Sequence, residues 1–304
     1  MVLSAILTIL GLVLFETISS IDNAVINAEV LSKMSERARR WFLLWGLLAA
    51  VFVVRGVLPF LIVWLTTPQL TVFEALNALI NSDPEVTKAV EESAPLLLVG
   101  GGVFLIFLFL HWLFLEPKNY GLGIEPFFHA QGVWFYATVS IFLSAITWFA
   151  LQLHPLMAFS AVVGSTAFFI THGFKGYAEQ KERELLAGSN MGDVSKILYL
   201  EVIDATFSID GVVGAFAFTL SVPLILLGNG IGAYVVREMT IRNIENVKKY
   251  RYLKNGAMYS IFFLGSIMLL DSFNYHIPSW VSPVATFMIL GYFFFKSHQE
   301  IGKK

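Results

Sequence analysis

Cysteine is absent from the 304 residues, which rules out a disulfide framework and any thiolate metal site, and leaves redox chemistry silent about compartment. Charge is nearly as scarce. Only 14% of residues are Asp, Glu, Lys or Arg against 57% hydrophobic, too little polar surface to wrap a soluble globule of this length. A basic n-region and a small-residue cleavage site are both missing from the N-terminus, so the first apolar run reads as a retained helix. The net charge of −2 gives no pointer to nucleic acid, and no nucleic-acid partner is expected. No strand-like stretch precedes Gly100-Gly-Gly102 or Gly228-Asn-Gly230-Ile-Gly232, so these runs predict close helix packing and not phosphate loops.

What is present is a series of apolar runs long enough to cross a bilayer. Nine are predicted, at about 3–31, 41–66, 96–115, 131–150, 156–174, 197–220, 222–237, 256–272 and 280–296. With the N-terminus outside and the C-terminus cytoplasmic, 18 of the 20 Lys and Arg residues fall on the cytoplasmic side, as short loops of an inner membrane protein require. The exceptions are Arg55, inside the second span, and Lys88, outside. The acidic stretch 67–95 predicts an extracytoplasmic amphipathic segment through Val72, Ala75, Leu76, Leu79 and Ile80, followed by a short helix with Asp83 as cap and Pro84 in its first position. The charged stretch 175–196 predicts a cytoplasmic linker.

Two polar knots interrupt this apolar background. The first is Glu16-Thr-Ile-Ser-Ser20-Ile-Asp22-Asn23-Ala24, and the second is Glu201-Val-Ile-Asp204-Ala-Thr-Phe-Ser208-Ile-Asp210-Gly211. Aligned on Ser20 and Ser208, they repeat acid, hydroxyl and acid at offsets zero, four and six. The spans carrying them, the first and the sixth, run in opposite directions under the predicted orientation. Related motifs on antiparallel helices are the signature of an inverted-topology repeat, whose site lies at the repeat interface near the bilayer midplane. The fold expected is therefore an all-α polytopic membrane domain over 1–304, with repeats at about 1–115 and 197–296 and the two motif helices packed at its centre.

At about 100° per residue, Glu16, Ser20 and Asn23 share a helical face, as do Glu201, Asp204, Ser208 and Gly211. Asp22 and Asp210 each lie about 120° from the first acid of their motif. Both acids of one knot reach one small ion only if the helix unwinds near Ser-Ile-Asp or if the two helices contribute acids in alternation. Five carboxylates against one core base, Arg55, call for cations or protons as partners. Oxygen ligands of this kind suit hard divalent ions such as Mn²⁺, Mg²⁺ or Ca²⁺, and no organic cofactor is expected. Arg55 is the candidate charge partner of a knot carboxylate.

The two motifs together, Glu-x3-Ser-x-Asp-Asn-Ala and Glu-x2-Asp-x2-Phe-Ser-x-Asp, resemble those of the TerC family of integral membrane proteins. The likeness extends through the basic loop Arg37 to Arg40, Arg55-Gly56 and Asn229 to Arg237. It implies a transporter akin to LysE-like proteins and other cation exchangers, associated with tellurite resistance and Mn²⁺ export. Glu16, Asp22, Asn23, Glu201, Asp204 and Asp210 match its acidic motif positions, while Gly211 departs from a pattern in which Ser is expected. The function expected is secondary export of a divalent cation, Mn²⁺ foremost, in exchange for protons, with Ser20 and Ser208 as supporting oxygens. A non-transporting scaffold, in which the acids only hold the bundle, is the alternative. Enzymatic activity is not expected, since intramembrane aspartyl proteolysis by Asp22 and Asp210 would call for a Gly-x-Gly-Asp signature that is missing.

Overall fold

The computed structural model describes residues 2–32, 34–46, 56–57, 60–61, 64–65, 67, 71–73, 84–186, 192–242 and 244–301. Among them there are helices and connecting turns and no strand. The helices are α1 (Val2–Ser19), α2 (Ile21–Ser32), α3 (Glu36–Trp41), α4 (Pro84–Leu115), α5 (Glu125–Ala130), α6 (Phe135–Leu153), α7 (Pro155–Leu186), α8 (Asp193–Ala215), α9 (Val222–Arg242), α10 (Ile244–Lys248), α11 (Leu253–Ser272) and α12 (Val281–Ile301). Most of the second predicted span, Arg55 within it, and most of the outer amphipathic segment lie outside the described residues.

Four stretches among the described residues are long and apolar enough to cross a membrane: Val90–Leu115, Gly132–Leu153, Pro155–Phe174 and Leu253–Ser272. A shorter apolar stretch covers Leu3–Ser19. The chain thus has the make-up of a membrane protein. α8 has comparable length but carries Glu201, Asp204 and Asp210, which lower its apolarity.

Three boundaries differ from the expected ones, the first being that α7 runs on to Leu186, so the opening part of the expected 175–196 linker is helical. The first span is two helices, because α1 ends at Ser19 and α2 begins at Ile21. The short outer helix and the third span are one 32-residue helix, α4, which starts at Pro84 and continues through Pro95. Proline in a helix interior removes one backbone donor and crowds the preceding turn. Here Ser93 and Ala94 are buried beside it, at 6% and 8% exposure, and packing keeps the helix going.

Glycines set how closely the apolar helices approach. A Cβ on Gly164 of α7 would overlap the carbonyl oxygen of Gly100 on α4, so these backbones touch. Two residues along and on another face of α4, a Cβ on Gly102 would come within 2.7 Å of Leu269 and 3.0 Å of the Gly265 carbonyl on α11. Aromatic side chains fill the space these crossings leave, with Phe107 and Phe168 edge to face at 5.6 Å.

One end of the bundle is tied by polar groups. Glu125 opens α5 fully buried, and its carboxylate accepts from the Gly121 amide at 2.6 Å and from Asn255 Nδ2 at 3.1 Å. Asn255 also donates to the Asn119 carbonyl at 2.8 Å, and Arg251 pairs with Glu300 at 3.1 Å. Lys118 donates to the carbonyls of Trp112 and Leu113, closing the end of α4. Burial holds its ammonium down to about 8 against the opposing pull of Glu116 and Glu125. The stretch 116–130 is thus a packed cap.

Asn255→Leu takes a donor from a buried carboxylate and should cost about 1–3 kcal/mol, seen as a drop of several degrees in the unfolding temperature of the detergent-solubilised protein. Gly164→Ala should sharply reduce the yield of folded protein, since backbone cannot yield as a side chain does. Gly173→Ala, on the same helix with open space around it, should have no such effect.

Candidate functional site

The break in the first span falls within the first knot. The Ser20 amide donates to the Glu16 carbonyl at 3.1 Å, and the Ser19 hydroxyl competes for that same carbonyl at 3.3 Å. Serine hydroxyls that bond locally in this way weaken a helix, and here two serines stand in succession. Ser20 Oγ donates to Glu16 Oε1 at 2.9 Å, so the first acid and hydroxyl of the knot are joined directly.

Glu16 is 1% exposed and lies between two other helices. A Cβ on Gly232 of α9 would fall 2.7 Å from Glu16 Cβ, and one on Gly211 of α8 would fall 2.6 Å from Glu16 Oε2. The glycine of the second knot is therefore a notch that admits the carboxylate of the first. Where the sequence suggested a lost ligand at Gly211, the structure has made room for Glu16. A Cβ on Gly214 would meet Phe15, while one on Gly211 looks toward Ser19 at 4.0 Å, so α1 and α8 cross in opposite senses.

The remaining knot residues occupy different levels. Ser208 is 3% exposed and donates to the Asp204 carbonyl at 2.6 Å, which leaves its lone pairs for other partners. Asp204 and Asp210 are half-buried on an unbroken α8. Glu201 lies nine positions from Asp210, roughly 13 Å along the axis at about 1.5 Å per residue, and packs against Gly46 with Oε1 buried. One ion cannot bridge that separation, so Glu201 belongs to a second level. Asp22 and Asn23 lie in the first turn of α2, and their side chains are outside the described part of the structure.

Among the described residues no three His, Cys, Asp or Glu side chains converge as a closed metal site. The carboxylate of Glu16 meets the Ser20 hydroxyl and lies against Gly211, which sets oxygen atoms where the two knots touch. Asn229, on α9 one turn before Gly232, adds a group that the sequence placed only within the family likeness. It is fully buried, and neither its Oδ1 nor its Nδ2 has a hydrogen-bond partner in the structure. A buried amide left this way costs about 1–3 kcal/mol, which makes it a candidate neutral ligand.

A small cavity of about 40 Å³ opens beside the break. Ser19 and Ile21 line it from either side of the break, Asp210 lines it from the second knot, and Glu116 and Lys254 add charge to a wall otherwise formed by apolar side chains such as Leu108 and Met258. Neither of these last two stood out in the sequence, because their partnership spans α4 and α11. His111 and His172, which show no ligand spacing in the sequence, bring their rings to 3.7 Å.

No curated protein and no solved structure matches the chain. A family model described as "Protein of unknown function (DUF475)" matches residues 21–301, from the start of α2 to the end of α12, and the chain belongs to that family.

Proposed function

We propose that the protein is a secondary transporter that exports a divalent cation, with Mn²⁺ as the first candidate, in exchange for protons. The observation that carries this reading is the seating of the Glu16 carboxylate in the Gly211 notch, which joins two acidic motifs inside an apolar bundle. Ionisable groups at such depth are costly and are retained where ions or protons must pass. Glu16, Asp22, Asp204 and Asp210 act as principal ligands, with Ser20, Asn23 and Ser208 as supporting oxygens. Glu201, at its separate level, serves as a proton carrier or a second stopping place for the ion. Arg55 stands in for the cation when the site is empty.

The antiparallel crossing of α1 and α8 supports the inverted repeat, and the apolar runs with their Lys and Arg distribution support nine spans with the N-terminus outside and the C-terminus in the cytoplasm. The likeness of the motifs to those of the TerC family points to the same activity in an inner membrane. Alternating access needs one element that yields and one that holds its shape, and the broken first span beside a continuous α8 supplies both.

Reconstituted in proteoliposomes, the protein should carry Mn²⁺ down its gradient, and Asp22→Asn and Asp210→Asn should each reduce that flux at least tenfold while leaving folded yield unchanged. Flux unaltered by both changes would defeat the transport reading, and lower yield without a change in flux would favour the scaffold. Gly211→Ala should weaken Mn²⁺ binding about tenfold or more, because the new methyl group displaces Glu16 Oε2, a flexible chain end. Its effect on thermal stability should be small by comparison, which calorimetry and a metal titration on one preparation can separate.

A further inference from the structure

The cavity beside the break has one wall that the knots do not account for. Glu116 follows the last residue of α4, and Lys254 is the second residue of α11. Lys254 Nζ lies 3.0 Å from Glu116 Oε2, and the other oxygen of the carboxylate lies 3.5 Å from His111 Nδ1. Side-chain exposure falls from 36% at Lys254 to 16% at Glu116 and 12% at His111, so the chain of groups runs from water inward. The same cavity reaches Asp210 and the two residues flanking the helix break. Its volume has room for about two or three waters, and Ser19, Asp210, Glu116 and Lys254 offer them polar partners within an otherwise apolar lining.

An exposed ion pair at a helix end is ordinarily a weak staple, worth about 0–1 kcal/mol. This one differs in its position, because it stands between solvent and a cavity that an intramembrane carboxylate shares. Its chemistry also fits a passage for cations. A carboxylate held by an ammonium is neutral as a pair and closed to other partners. When the ammonium leaves, the same carboxylate becomes a cation ligand one cavity away from Asp210. Lysine is suited to this exchange, since its charge rides on a flexible four-carbon stem and can swing out without movement of α11. The basic cap around it, with Lys118 and Arg251, lies at the end that the charge distribution assigns to the cytoplasm.

From this arrangement we infer that Glu116 and Lys254 form the inner gate of the ion path: paired, they close the cavity, and when Lys254 swings out, Glu116 receives the cation exchanged with the knots. The gate rests on the transport reading for its purpose, but its opening can be measured without any metal.

The absence of native cysteine makes that measurement direct. Ala257→Cys places a single thiol in the cavity wall, three positions from Lys254, and Met268→Cys places one on the same helix in the fully buried core. Both are exposed to methyl methanethiosulfonate, a small neutral reagent that forms a mixed disulfide with the thiol and releases methanesulfinate. Ala257→Cys should react slowly in the parent background and at least tenfold faster with Lys254→Gln or Glu116→Gln. The two gate changes combined should add little to either alone, because each breaks the same pair. Met268→Cys should stay unreactive throughout. Equal rates at position 257 in all backgrounds would overturn the gate, as would matching acceleration at 268, which would trace it to general loosening. In proteoliposomes, Glu116→Gln should slow Mn²⁺ flux at least fivefold. If the parent carries no Mn²⁺, the transport reading falls while the thiol rates still decide whether the pair closes the cavity.

Discussion

A carboxylate withdrawn from water into an apolar bundle carries a penalty of several kcal/mol unless its surroundings give it donors and room. Glu16, at 1% exposure, imposes that requirement on three helices at once. The break just beyond its own helix gives a donor, the Ser20 hydroxyl at 2.9 Å. The other two give space, since a side chain at Gly211 or Gly232 would collide with it. The same line of close approach continues away from the carboxylate, where Gly214 admits Phe15 and Gly228 admits Leu12. The first span is thereby pressed against α8 and α9 over two turns, and the acid sits where those contacts meet.

The remaining helices are built on another principle. Where α4 meets α7 and α11, glycines let backbones touch and aromatic rings fill the gaps, with charge kept to the ends. Interiors packed at this density resist small displacements, because each shift forfeits many weak contacts together. The Glu125 and Asn255 network pins one end of this group, tying the 116–130 segment to α11. A rigid apolar frame thus stands beside the helices that bear charge. The cavity with Glu116 and Lys254 lies on the boundary between the two.

The parts legible in the sequence were those that depend on contrast within a single segment. Helical character follows from apolar runs of the right length, and the knots are visible because charge is rare around them. The opening of α4 at Pro84 and the packing roles of Gly100 and Gly228 are likewise local, set by φ restriction and by the lack of a side chain. What sequence could not reveal depends on partners far away in the chain. Gly211 reads as a missing hydroxyl until Glu16 is seen beside it. Glu125 reads as a loop acid until Asn255 is seen to meet it. Helical spacing places Glu201 on the same face as Asp204, yet face says nothing of depth, and along the axis it lies well away from Asp210. His111 and His172 are neighbours only because α4 and α7 cross.

The two knots share a pattern but not a backbone, and the difference has a local cause. In the first, Ser19 and Ser20 stand together, and the Ser19 hydroxyl shares the Glu16 carbonyl with the next amide. In the second, Phe207 holds the place of Ser19, and the Ser208 hydroxyl reaches back a full turn to the Asp204 carbonyl without interrupting α8. A straight helix keeps Asp204 and Asp210 about 120° apart, so they address different neighbours. Asp210 accordingly faces the cavity at the break, beside Ser19 and Ile21. The break releases the first span from that constraint, and a small turn at Ser20 re-aims everything from Asp22 onward relative to Glu16. For the transport we propose, this difference makes the two knots unequal: the continuous α8 would hold Asp204 and Asp210 in place, and the broken span would set when Asp22 joins them.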